Sequence, residues 1–214
     1  MRRKSKEGRV KGYFVTGIGT DVGKTVISAI LVQALGADYW KPIQAGSLGF
    51  TDSNIVRSLI SNAESVIHPE AYRLNAPMSP HAAARLDGIH IELDTLRLPA
   101  VTRPLIVEGA GGLMVPLDTG FLVRDLISSL GLPVILVSRN YLGSINHTLL
   151  SVEALKAKGI EIAGIIFNGE RNEDSESFIL EHTGVRLLGA VGIEEIIDQS
   201  TVLRYAAHFK EVLR

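Results

Sequence analysis

Short apolar runs rich in β-branched residues alternate along the chain with stretches whose apolar positions recur every three to four residues. The runs predict strands at 13–17, 38–42, 104–108, 133–138, 162–168 and 186–191, a pattern that points to a sheet buried on both faces. Between the first two, residues 24–35 set Val26, Ile27, Ile30, Leu31, Ala34 and Leu35 on one helical face, and Gly36 follows as a stop. Further helices are expected at 52–61, 123–130, 144–158, 175–183 and 201–213. This alternation predicts an α/β fold, a doubly wound and mostly parallel sheet of six strands flanked by helices. Residues 64–98 are broken by Pro69, Pro77 and Pro80. They are expected to lie over the strand ends rather than inside the sheet, where substrate-facing loops are commonly built.

The chain of 214 residues is 46% hydrophobic, which suits one domain over 12–214 with a sizeable core. Residues 1–11 carry Arg2, Arg3, Lys4, Lys6, Arg9 and Lys11, with no apolar region or cleavage site behind them. They read as a flexible, solvated basic tail rather than a signal peptide. No apolar stretch reaches the ~20 residues a bilayer requires, so a soluble, cytoplasmic protein is expected. The formal net charge of −1 gives no field that would select nucleic acid or an anionic membrane. Without any cysteine, disulfides, thiolate metal sites and thiol nucleophiles are excluded.

The first strand runs into Gly17-Ile18-Gly19-Thr20-Asp21-Val22-Gly23-Lys24-Thr25 and then a helix. Strand, glycine-rich turn, Gly-Lys-Thr and helix start stand in the order of a phosphate-binding loop. Glycines let backbone N–H groups curl around phosphate oxygens, and the helix N-terminus adds positive potential. Lys24 can reach the β- and γ-phosphates, and the Thr25 hydroxyl can ligate Mg²⁺. Five residues separate Gly17 from Gly23-Lys24 where the standard pattern has four, so this P-loop is atypical.

Two acids can complete such a site. Glu108 ends the run Leu105-Ile106-Val107 and precedes Gly109-Ala110-Gly111-Gly112. At the carboxyl end of a parallel strand it faces the same crevice as the P-loop, as a metal ligand or as a turn residue capping backbone amides. Asp52 opens an amphipathic helix, so an N-cap and a metal ligand are both open to it, and the two are compatible.

The order and spacing of several segments resemble the dethiobiotin synthetase family over nearly the whole chain. They are Phe14-Val15-Thr16-Gly17 with the loop through Thr25, Lys41-Pro42-Ile43-Gln44-Ala45-Gly46, Pro77-Met78-Ser79-Pro80-His81 and Val107-Glu108-Gly109-Ala110-Gly111-Gly112 with Pro116-Leu117. Leu132-Pro133-Val134-Ile135-Leu136-Val137 and Leu142-Gly143-Ser144-Ile145-Asn146-His147 complete the set. The resemblance implies that Thr25, Asp52 and Glu108 hold Mg²⁺, and that Thr20, Asp21, Val22, Gly23, Lys24, Thr25 and Val26 wrap the triphosphate of ATP. It further implies that Glu108, Gly109, Ala110 and Gly111 approach the γ-phosphate, and that Asn168 with Gly169 reads adenine beside the loop Gly192, Ile193 and Glu194. Lys41 is then the active-site lysine. Gly143, Ser144 and Asn146 match the segment that binds the substrate carboxylate of the neighbouring subunit in the family's homodimer. Three departures stand out. Ala45 replaces a usual serine or threonine, Gly192 replaces a common proline, and Asp21 replaces a longer glutamate.

The implied reaction begins with a carbamate formed from carbon dioxide on one amine of diaminopelargonate. Attack of the carbamate on the γ-phosphate gives a mixed anhydride, and the second amine closes the cyclic urea. Two anions must be held together, so cations are the main need, which Lys24, Lys41 and Mg²⁺ meet. His81 and His147 are read as structural, and 77–84 as a wall for the fatty chain.

One rival is a regulatory P-loop ATPase of the chromosome-partition or septum-placement class, which usually carries a signature lysine where Gly19 stands. A C-terminal apolar face of Val202, Leu203, Tyr205, Ala206, Phe209, Val212 and Leu213 could trace its membrane helix, but a helix packed on the sheet is the better account of the same pattern. A glutaminase-coupled ligase needs a thiol that the chain lacks. A pure nucleotide-binding module leaves Lys41 and the Asn146 segment without a role.

Overall fold

The computed structural model describes residues 11–213, so most of the expected basic tail lies outside the described residues. In chain order the elements are β1 (Gly12–Gly17), α1 (Lys24–Leu35), β2 (Asp38–Trp40), β3 (Ile43–Ala45), α2 (Asp52–Leu59), β4 (Ile67–His68) and β5 (Tyr72–Leu74). They continue with α3 (Pro80–Asp87), β6 (Leu105–Gly112), α4 (Val123–Leu130), β7 (Val134–Ser138), α5 (Ser144–Ala157), β8 (Ile162–Asn168), α6 (Glu173–Thr183), β9 (Leu187–Val191) and α7 (Gln199–Val212). Among the described residues, seven strands form one parallel sheet in the order β4-β2-β6-β1-β7-β8-β9.

The sheet is buried on both faces because its strands are apolar at odd and even positions alike. Phe14, Leu105, Val107, Val134 and Leu136 pack with Ile127, Val152 and Ile179 of α4, α5 and α6. Their neighbours Val15, Ile106, Ile135 and Val137 pack on the other side with Ile30 of α1 and Phe209 of α7. Because α7 covers α1, burial there extends beyond the expected face to Ser28, Ala29 and Val32. Val202, Ala206 and Phe209 of α7 are spent on that contact, while Leu203 stays exposed. Among the described residues no helix is long and apolar enough to cross a membrane.

The structure corrects the sequence reading in the region after β2. Residues 38–42 do not form one strand: it stops at Trp40, because Pro42 has no N–H to donate, and its carbonyl instead receives the N–H groups of Ala71 and Tyr72. The chain turns into β3, which pairs in parallel with β5 as a separate two-stranded sheet. Ile67–His68 joins the main sheet as an edge beside β2, so 64–98 is not wholly outside it and the strands number seven rather than six. The same segment holds α3, bounded by Ser79-Pro80 and by Gly88 in the left-handed region, a start and stop that the prolines obscured.

Two further corrections bear on the site. β6 does not end at Glu108 but runs on to Gly112, where it pairs with Gly17, so Glu108 is a mid-strand residue and not a turn. The N-cap of α2 is Thr51 rather than Asp52: its hydroxyl accepts the Asn54 N–H, and the Asn54 side chain accepts the Thr51 N–H in return. Asp52 is thereby the first helical residue, its carboxylate relieved of capping.

Candidate active site

Parallel strands deliver their carboxyl ends to one edge of the sheet, and a cleft of about 510 Å³ opens there above β1, β2 and β6. The P-loop forms one wall. Its last glycine, Gly23, has φ 90°, and a β-carbon at that position would come within 2.1 Å of the Asn168 amide nitrogen. Only glycine meets both the dihedral and the contact. Asp21 also has a positive φ of 57°, a conformation aspartate tolerates better than most residues. Lys24 is buried and bends back to donate to the Gly19 carbonyl at 2.8 Å. Burial holds its pKa below the ordinary lysine value; Glu108 opposes that, and the nearby Lys41 adds to it.

Glu108 is the hub. Its side chain has no solvent exposure, and its Oε1 accepts Thr25 Oγ1 at 2.9 Å and Lys41 Nζ at 3.0 Å. Burial opposes ionisation, yet Lys41, with Lys24 and the Thr25 hydroxyl, draws the carboxyl below its usual pKa. Lys41, 5% exposed, also donates to Asp52 Oδ2. Burial disfavours its charge, but Glu108 and Asp52 outweigh burial and raise its pKa. Lys41 thus sits between Glu108 and Asp52, bonded to both. Gln44 supports the arrangement from β3, its Oε1 accepting the Asp52 N–H at 3.3 Å and its amide donating to the Gly46 carbonyl at 3.0 Å.

Of the residues expected at the site, Thr20, Asp21, Gly23, Lys24, Thr25, Val26, Lys41, Ala45, Asp52, Glu108, Ala110 and Gly111 line this one cleft. Pro77, Met78, Ser79 and Pro80 line it too, as the expected wall. Gly46, with φ 71°, lies so close to Pro77 that a β-carbon would approach to 2.5 Å, which holds that wall against β3. Val22 is buried beneath the loop, and Gly109 turns away, against Phe14.

Asn168 at the end of β8 donates to the Val22 carbonyl at 3.0 Å and so braces the P-loop. Gly169 N–H bonds Val191 O beside it. In the loop after β9, the Gly192 N–H donates to Tyr205 Oη at 3.0 Å, and Glu194 accepts from Tyr205 and Arg204. Ile193 is 75% exposed. Gly143 and Asn146 stand apart in a second cleft of about 820 Å³ near α6. Ser144 is buried, and its N–H is committed to Tyr141 O. A buried carboxylate holds this second cleft together: Glu176 accepts from Arg171, Asn140 Nδ2 and the Asn172 N–H. His147 Nδ1 meets the Tyr141 hydroxyl.

Sequence reading missed Tyr39, whose fully buried hydroxyl donates to Glu108 Oε2 at 2.9 Å. The available signal was its place two residues before Lys41, on the strand that leads into it. It also missed Arg139, which reaches the Asp21 carbonyl from the end of β7.

Thr25, Asp52 and Glu108 together offer only hard oxygen donors beside a phosphate loop, which suits Mg²⁺ completing its shell with phosphate oxygens and water. Among the described residues no cluster of three or more His, Cys, Asp or Glu is placed to hold a metal unaided.

A family model described as "AAA domain" matches residues 11–201. The ATP-dependent dethiobiotin synthetase BioD of Christiangramia forsetii is 53% identical over 95% of this chain and 98% of its own length. That of Cytophaga hutchinsonii is 54% identical over 92% of this chain and 96% of its own. Among solved structures, a ParA family ATPase from Chlorobium tepidum aligns with a TM-score of 0.57 at 13% identity, over 93% of this chain and 100% of its own. The septum site-determining protein MinD from Pyrococcus horikoshii aligns at 0.55 and 14% identity, covering 94% of each chain. At such identity these last two speak for the fold alone.

Proposed function

The chain belongs to the ATP-dependent dethiobiotin synthetase family, and from that premise we propose how its cleft closes the cyclic urea. The activity is that of the family, an ATP-dependent cyclo-ligase step in biotin biosynthesis. The observation that carries the reading is the convergence of Lys24, Lys41, Thr25, Asp52 and Glu108 on one cleft.

ATP lies with its triphosphate along 20–26, Lys24 against the transferring phosphoryl group, and its base toward Asn168, Gly169 and the loop 192–194. Thr25, Asp52 and Glu108 hold Mg²⁺, which neutralises charge on the triphosphate when bound. Lys41, released from its two carboxylates, turns its ammonium between the carbamate of diaminopelargonate and the γ-phosphate. The site needs no nucleophile of its own, because the carbamate oxygen attacks the γ-phosphorus with departure of ADP, and the second amine then attacks the carbonyl carbon of the mixed anhydride and displaces phosphate. Protein work is positioning and charge stabilisation. Ala45 offers no hydroxyl to the substrate, so a polar contact there falls to the backbone or to another residue.

Gly143 and Asn146 line a cleft separate from the P-loop within one chain, with Ser144 buried between them. That separation favours a homodimer in which the segment receives the carboxylate of a substrate seated on the neighbouring subunit. A switch ATPase of the partition class is disfavoured by Gly19 and by relatives half identical that are named synthetases.

Isothermal titration tests the reading directly. With a non-hydrolysable ATP analogue and Mg²⁺ present, diaminopelargonate should bind, and Lys41→Ala should abolish ring closure while nucleotide binding survives. Absence of diamine binding, or near-normal turnover of Lys41→Ala at saturation, would refute it.

A further inference from the structure

The two oxygens of Glu108 are held differently. Oε1 faces the cleft and accepts from Thr25 and Lys41, whereas Oε2 accepts the Tyr39 hydroxyl. Tyr39 lies in β2, whose parallel register sets it beside Ile106 and sets Trp40 beside Val107. Alternation along that extended segment sends Tyr39 and Lys41 to the same side, so one stretch of chain supplies a donor to each oxygen of the carboxylate. The ring is wholly buried, and among the described residues the hydroxyl makes this single hydrogen bond.

The donors also differ in permanence. Lys41 is shared with Asp52 and, in the reading above, leaves when the carboxylates take up the cation. The Tyr39 ring is locked in the core with Ile106, Ile30 and Leu31 and has nowhere to go. Rotation about the last bond of a glutamate is soft, so a carboxylate that loses an ammonium from one oxygen stays oriented only if its other oxygen is pinned. A hydroxyl donating to an ionised carboxylate is a strong bond for that purpose.

We propose that Tyr39 is a positioning residue for Glu108, pinning Oε2 so that Oε1 stays turned toward Thr25 and the cation. The proposal rests on the reading of Glu108 as a Mg²⁺ ligand. Partners of this kind, one step removed from a metal, commonly govern its affinity.

Tyr39→Phe removes one oxygen and keeps the ring. Binding of a fluorescent, non-hydrolysable ATP analogue would be followed in EDTA and across a MgCl₂ titration. Expected is an unchanged affinity in EDTA, with the Mg²⁺ needed for half-maximal enhancement raised on the order of tenfold. Glu108→Gln, run in parallel, should lose the enhancement. A Tyr39→Phe protein with wild-type Mg²⁺ dependence would overturn the proposal while leaving the Glu108 reading intact. Equal losses with and without Mg²⁺ would overturn it too, making the hydroxyl a fold element. Wild-type Mg²⁺ dependence in Glu108→Gln would bring down the metal reading, and this proposal with it.

Discussion

Lys41→Met tests the charge balance of the site because it removes the ammonium and keeps most of the stem. Lys41 is 5% exposed and Glu108 1%, so the variant leaves a carboxylate in the core with its main counter-charge gone. Removing one partner of a buried pair costs about 3–5 kcal/mol. Lys24 still acts on Glu108, and the desolvation of Lys41 itself is relieved, which places the expectation near the lower end, roughly 3 kcal/mol. For a chain of this size that corresponds to a fall of roughly 10 °C in Tm.

The sign of the pH dependence follows from the direction of the shift. In the wild type the Glu108 pKa is depressed in the folded state, so its contribution is present above the unfolded value of about 4.3 and is lost as pH falls through the folded value. In the variant, burial acts without Lys41 and raises that pKa. The deficit is therefore full at neutral pH and narrows as pH falls toward about 4.3, because the variant's Glu108 takes up a proton first. Urea denaturation at pH 7.5 and pH 5 measures this. Mg²⁺ should also stabilise the variant more than the wild type, since no ammonium then competes for Asp52 and Glu108. A deficit equal at both pH values, or a Tm unchanged by the substitution, would refute the reasoning.

Gly23→Ala should destabilise by more than about 1 kcal/mol and weaken nucleotide binding, because alanine suits neither φ 90° nor the approach of Asn168. Urea denaturation and titration with a non-hydrolysable ATP analogue measure the two losses. Thr51→Ala should cost about 1 kcal/mol in urea denaturation, the usual worth of a helix N-cap, with α2 intact but less firmly started before Asp52. If the substrate site spans two subunits, mixing inactive Lys41→Met and Asn146→Ala protomers should restore activity to about a quarter of wild type, since half the dimers would be mixed and carry one intact site. Complete lack of complementation would argue for sites confined to one chain.

Much of the site was legible before any coordinates because its chemistry is local. Gly23-Lys24-Thr25 between a strand and a helix announces a phosphate loop, and Glu108 sits on a strand too apolar to be anywhere but the sheet. The region after β2 was illegible because its signals conflict. The strand stops at Trp40, two residues before the Pro42 that marked its end in the sequence, and Ile67–His68 is too short to show a period. At α2 the capping chemistry was read one residue late, since Thr51 and Asp52 both suit an N-cap and only the backbone dihedral distinguishes them.

Chain order and residue type alone determined the α/β class, the phosphate loop and the identities of the charged groups, because apolar period and turn chemistry act over a few residues. Which groups meet was decided by the parallel sheet, which seats β2 and β6 side by side and brings residues 69 apart, Tyr39 and Glu108, to 2.9 Å. That contact, like the sharing of Lys41 between Asp52 and Glu108, depends on strand order and register, which are set by how the whole core packs and not by any local stretch of sequence.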